Sequence, residues 1–121
     1  MTEKEAKAAL SAAGIENAGG EARLLGERFR GNIPPDVVQK RASHYPLQYL
    51  LGVWWFWREE YEVSPLCLCP RPDTEHLVEY AVRALPQGAR FLDLCTGSGC
   101  VAISVLASRP DTTAVATDLF P

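Results

Sequence analysis

The run Asp93-Leu94-Cys95-Thr96-Gly97-Ser98-Gly99 constrains this chain more than any other feature. It ends a short apolar stretch that begins at Arg90-Phe91-Leu92, and it leads into Cys100-Val101-Ala102-Ile103, which continues at helical spacing to Ser108. Thr113-Ala114-Val115-Ala116-Thr117 then reads as a second strand, closing at Asp118. Strand, glycine turn, helix and strand in this order open a doubly wound, parallel nucleotide-binding sheet. The two glycines let the backbone approach a ligand closely, and the following helix aims its first N–H groups at the same place. Arg90–Leu94 is expected to be a buried parallel strand. Two parallel strands need further strands and covering helices, so the 121 residues read as part of a longer domain.

The details of the turn separate cofactor classes. The dinucleotide fingerprint G-x-G-x-x-G needs a third glycine, which C-T-G-S-G lacks. Asp93, just before the turn, would repel a pyrophosphate but suits a cofactor that carries an ammonium group and no phosphate. Asp118 lies at the end of the second strand, where a carboxylate can accept both ribose hydroxyls. These features favour S-adenosylmethionine over NAD. The competing reading is a plain strand-to-helix turn with two polar strand ends.

Upstream, the chain changes character twice. Thr2 and Glu5 have capping-box spacing, and Gly14 closes the first helix. A second helix is expected from Gly20 to Arg30, and a third, launched by Pro34-Pro35-Asp36, to about Ser43. Pro46–Gly52 reads as a turn-like joint. Val53-Trp54-Trp55-Phe56-Trp57 and Tyr61-Glu62-Val63 flank a charged break, Arg58-Glu59-Glu60, in the pattern of a β-hairpin. Alternation sets Val53, Trp55 and Trp57 on one face and Trp54 and Phe56 on the other, and one face must pack. A further helix is expected from Asp73 or Thr74 to Leu85, with Leu77, Val78, Ala81 and Leu85 at helical spacing. Lys40, Arg41 and His44 read as a solvated helix face.

Charge and cysteine content exclude several classes. Twelve basic against fifteen acidic side chains give a net charge of −3, which argues against binding nucleic acid through bulk positive charge. No apolar stretch reaches the length of a membrane-spanning helix, and no signal-peptide pattern opens the chain. Cys67, Cys69, Cys95 and Cys100 are spaced C-x-C and C-x4-C, not as paired zinc ligands. They sit in apolar company and read as buried free thiols, with no metal site.

Several blocks together carry a resemblance: Pro46-Leu47-Gln48-Tyr49-Leu50-Leu51-Gly52, Pro70-Arg71-Pro72-Asp73-Thr74-Glu75, and Asp93 through Ile103. The chain resembles the N-terminal part of peptide chain release factor N(5)-glutamine methyltransferases. The resemblance implies an α/β chain with a small N-terminal helical bundle (residues 1–45) of release-factor-binding type. It implies a β-hairpin linker (46–72) and an incomplete Rossmann-like class I methyltransferase domain (73–121). It also implies S-adenosyl-L-methionine as cofactor and methylation of the glutamine side-chain amide in the Gly-Gly-Gln motif of a release factor. By position, Cys95, Thr96, Gly97, Ser98 and Gly99 would line the methionine and adenosine moieties, and Asp118 would hold the ribose. Arg71, Pro72 and Asp93 would lie near the pocket. Position 95 is often Gly in the family. The family's amide-orienting Asn-Pro-Pro-Tyr is absent, and Asn17 and Asn32 are the only asparagines. These 121 residues are therefore expected not to transfer a methyl group by themselves. A cytoplasmic monomer without direct nucleic-acid contact is expected, and a non-catalytic release-factor or ribosome binding module is the alternative.

Overall fold

The computed structural model describes residues 1–119, which form two compact units dividing after Gly52. The first unit is helical. Helix α1 (Glu3–Ala12) starts in a full capping box: the Thr2 hydroxyl accepts from the Glu5 amide, and the Glu5 carboxylate accepts from the Thr2 amide. The same hydrogen bonds hold the Glu5 carboxyl below its usual range. Helices α2 (Ala18–Arg28) and α3 (Pro35–Ala42) pack on α1. Ala6, Leu10, Ala22, Leu25 and Ile33 are fully buried between them. Gly26 lets α1 and α2 approach closely: a Cβ there would stand 3.3 Å from the Glu3 carboxylate.

Two of the sequence expectations change here. Pro46–Gly52 is not only a turn. Leu47–Leu51 forms a short helix, α4, because Leu47 and Leu51 lie one turn apart and both are buried; Gly52, at φ +77°, ends it. Arg41 is not part of a solvated face. Its guanidinium forks onto Glu21 at 2.6 and 3.1 Å, with both side chains mostly buried.

The second unit begins with the hairpin, β1 (Val53–Phe56) and β2 (Glu59–Glu62), paired antiparallel with Phe56 opposite Glu59. The turn is only Trp57 and Arg58, so the expected charged break is shorter than its three residues. Glu59 and Glu60 stay in the ladder and are exposed, while Tyr61 is buried. Phe56 and Tyr61 meet edge to face at 6.1 Å and are buried, whereas Trp55 is 54% exposed. A 3-10 turn (Pro72–Thr74) leads into α5 (Glu75–Ala84). Strands β3 (Arg90–Leu94) and β4 (Thr113–Thr117) pair in parallel, Arg90 with Thr113 through Leu94 with Thr117, and α6 (Cys100–Ser108) forms the crossover between them. Phe56, Tyr61, Val78, Cys100 and Val105 form the core, with Phe91, Ala81 and Leu85 against it.

Strand β3 is not buried as expected. Phe91 packs inward, but Leu92 is 60% and Leu94 71% exposed. The helices pack against Phe91 and leave Leu92 and Leu94 largely open among the described residues. Among the described residues no helix is long and apolar enough to cross a membrane.

Candidate cofactor site

The site grows out of the backbone after β3. Cys95, Gly97 and Gly99 all take left-handed conformations, at φ +60°, +58° and +81°. This alternation folds the chain tightly enough to reverse into α6. The Thr96 amide donates to the Thr117 carbonyl at 2.8 Å, so the turn starts as an extension of the β3–β4 ladder. The Gly99 amide then donates to the Thr96 carbonyl at 2.9 Å. A Cβ at Gly97 would enter open space, with nothing within 4 Å, so glycine is there for its φ.

Helix α6 has no side-chain cap from its own N-cap residue, Gly99. Asp93 replaces it from the strand: one carboxylate oxygen accepts from the Thr96 hydroxyl at 2.7 Å and from the Ala102 amide at 3.1 Å. A negative charge at a helix N-terminus is favourable there, and it joins strand, turn and helix through one atom. Asp118, just past β4, accepts from the Gly97 amide at 2.8 Å. Both acids named from the sequence thus meet the turn.

Beside the turn lies a cavity of about 180 Å³. Cys95, Thr96, Gly97 and Ser98 form one wall, with Arg71 and Asp93 also lining it. Gly99, Pro72 and Asp118 are adjacent in the chain or by hydrogen bond but do not line it. Sequence reasoning had not assigned Leu68, Cys69, Pro70, Thr74, Cys100 and Val101 to the pocket, although all do line it. The available signals are the Pro-Arg-Pro-Asp-Thr-Glu block, which holds Pro70 and Thr74, and the run from Asp93 through Ile103, which holds Cys100 and Val101. The cysteines differ from expectation: all are free, but only Cys69 and Cys100 are buried, while Cys95 is exposed. Burial pushes the Cys69 and Cys100 thiols up, away from the nucleophilic thiolate. A larger hollow of about 460 Å³ between α5 and β3 is lined mainly by apolar side chains such as Leu77, Leu92 and Leu94, and offers little to orient a polar ligand.

A glycine turn between parallel strands, with an acid at each strand end, makes this a β–α–β unit of the Rossmann-like, doubly wound type. The comparisons narrow the class. The release factor glutamine methyltransferase of Nitratidesulfovibrio vulgaris is 44% identical over 85 residues, covering 69% of this chain and 29% of that protein. The Escherichia coli K12 protein of the same name is 44% identical over 86 residues, covering 70% and 31%. That of Rhodospirillum rubrum is 35% identical over an alignment of 132 residues, covering 93% and 41%. A solved structure, the release-factor-specific protein-(glutamine-N5) methyltransferase of Alicyclobacillus acidocaldarius, is 50% identical over 49% of this chain and 38% of that one, with a TM-score of 0.37. No family profile matches the chain. By sequence the chain is similar to the N-terminal part of the release factor glutamine methyltransferases. It spans between 29% and 41% of the length of these three curated relatives.

Proposed function

We propose that the chain carries the cofactor side of an S-adenosylmethionine-dependent methyltransferase. Its substrate would be the side-chain amide of the glutamine in the Gly-Gly-Gln motif of a peptide chain release factor. The 2.8 Å bond from the Gly97 amide to Asp118 carries the reading. It sets the carboxylate at the end of β4 against the glycine turn, beside a cavity with no third-glycine dinucleotide fingerprint. Cys95, Thr96, Gly97, Ser98 and Gly99 would hold the methionine and adenosine moieties, and Asp118 the ribose. Arg71, Pro72 and Asp93 would stand close by. The cofactor supplies a methyl group made electrophilic by its sulfonium. The cavity, about 180 Å³, is smaller than the roughly 300–1,000 Å³ of whole-ligand pockets, so it suits one end of such a molecule.

The reading assigns residues 1–45 to release-factor contact, 46–72 to the hairpin joint and 73–121 to the cofactor domain, in a cytoplasmic monomer that does not touch nucleic acid directly. An amide nitrogen is a weak nucleophile and must be oriented toward the methyl group. Residues 1–121 contain no Asn-Pro-Pro-Tyr to do so, so they are expected to bind cofactor without transferring its methyl group. Calorimetry on the 121-residue chain tests the reading. S-adenosylmethionine should bind and NAD should not, and Asp118→Ala should weaken binding by at least about tenfold, through the loss of the charge-assisted hydrogen bonds to the ribose hydroxyls. Tight NAD binding, or no S-adenosylmethionine binding, would overturn it.

A further inference from the structure

We propose that the β1–β2 hairpin is a positioning element for the glycine turn and that Tyr61 is the residue through which it acts. The ligand-binding part of this inference rests on the cofactor reading above; the structural part does not. Tyr61 is 6% exposed, and its hydroxyl reaches α6. It donates to the Cys100 carbonyl at 3.3 Å and lies 2.6 Å from the Ser104 hydroxyl. At the other end of the helix, the Trp57 indole N–H donates to the Ser108 hydroxyl at 2.9 Å. Residues 100, 104 and 108 are spaced by four, so they form one stripe along α6. The hairpin grips that stripe at both ends.

The two grips differ in what they can control. Ser108 is the last residue of α6, far along the helix from the turn. Cys100 is the first residue of α6, follows the left-handed Gly99 directly, and lines the cavity. The first turn of α6 is therefore held from two sides, by Asp93 from β3 and by Tyr61 from β2. Asp93 fixes the amide of Ala102, and Tyr61 fixes the carbonyl of Cys100. Together they set the direction in which the first amides of α6 face the cavity. With Tyr61 unanchored, the helix start would be free to pivot about Gly99.

Three variants of the 121-residue chain separate positioning from mere stability. Tyr61→Phe removes only the hydroxyl and keeps the ring packed on Phe56. Ser104→Ala removes its partner on α6, and Trp57→Phe releases the far grip. Amide hydrogen exchange is read by mass spectrometry over 96–102 and over 105–109, and S-adenosylmethionine binding by calorimetry. Tyr61→Phe should speed exchange over 96–102 by about three- to tenfold and weaken cofactor binding by a similar factor, the value of a neutral hydrogen bond. Ser104→Ala should give a smaller change of the same kind. Trp57→Phe should speed exchange over 105–109 and leave 96–102 within about twofold. Unchanged exchange at 96–102 in Tyr61→Phe, or an equal rise there in Trp57→Phe, would overturn the inference. If the wild-type chain binds no cofactor while Tyr61→Phe still loosens the turn, the positioning role stands and the cofactor reading falls. If the wild type binds and Tyr61→Phe binds equally well, the reverse holds.

Discussion

The two units solve the problem of burial differently. Residues 1–52 close their own core: Ala6, Leu10, Ala22, Leu25 and Ile33 are wholly inaccessible, and Tyr45 is the only exposed large apolar side chain among the described residues of that unit. From Val53 onward, Leu77, Tyr80, Leu92, Leu94 and Val115 are all substantially exposed, although the unit has a core of its own around Phe56 and Val78. Helices can close a small core by placing an apolar stripe on each neighbour, whereas a parallel sheet needs cover on both faces. The second unit compensates with long-range polar ties, those of Tyr61, Trp57 and Arg109, where the first relies mainly on apolar packing.

The sharpest way to break this comparison is to truncate one leucine in each unit. Leu25→Ala should cost about 2–5 kcal/mol through the cavity it leaves. Leu94→Ala, at a site 71% exposed, should stay within about 0.5 kcal/mol. All three tryptophans lie in the second unit, so urea unfolding followed by fluorescence reports that unit alone, while far-UV circular dichroism also sees the helices of the first. Equal losses for the two variants would mean that the exposed β3 face is covered in solution and that the contrast is false.

A second test sharpens the claim about polar ties. The Arg109 guanidinium donates to the carbonyls of Val82 and Leu85 at 2.8 and 2.9 Å, and to that of Pro86 at 3.2 Å. It also forks onto Asp111 at 2.9 Å through two nitrogens. One side chain thus joins the end of α5 to the loop after α6. Asp111 accepts from the Gly88 amide as well, and the hydrogen bonds from Arg109 and then Gly88 hold its carboxyl far below the ordinary value of 3.8. Arg109→Ala should lower the fluorescence-detected melting midpoint by several degrees. Arg109→Lys should recover only part, because an ammonium keeps the charge but not the fork. A carboxyl depressed in the folded state adds stability that is complete above its unfolded pKa and is lost as pH falls toward its folded one. Acid should therefore destabilise the second unit progressively below about pH 4, and Asp111→Asn should flatten that slope. An unchanged slope in Asp111→Asn would remove the Asp111 carboxylate from the ties that Arg109 makes.

How legible each region was follows from the range of the forces that shape it. The capping box of α1, the glycine turn and the β–α–β order are local, set by residues a few positions apart, and the sequence displays them directly. The place of Asp118 at the end of β4 was also readable, but its bond to the Gly97 amide was not. The grips of Tyr61 and Trp57 on α6 span 39 to 51 positions, and no local pattern announces them. The same is true of the Arg41–Glu21 fork, which turned an apparent solvent face into a buried pair. Strand β3 misled for a different reason. An apolar run states that a strand should be covered and is silent about whether anything described covers it.

The smallest effect bears on the turn itself. Cys95 is the one non-glycine among the three left-handed positions, and its side chain is exposed, so packing offers no compensation. A left-handed conformation costs an L-residue about 1–2 kcal/mol, whereas glycine adopts it freely but loses roughly 0.5–1 kcal/mol more entropy on folding. Cys95→Gly should therefore stabilise the second unit by under about 1 kcal/mol. Cys95→Ala, which keeps the Cβ and the strain, should leave it near wild type. Fluorescence-detected urea midpoints of the two variants give the difference directly. If Cys95→Ala gains as much as Cys95→Gly, the thiol rather than the backbone is the source of the strain, and the turn tolerates a side chain at position 95 without penalty.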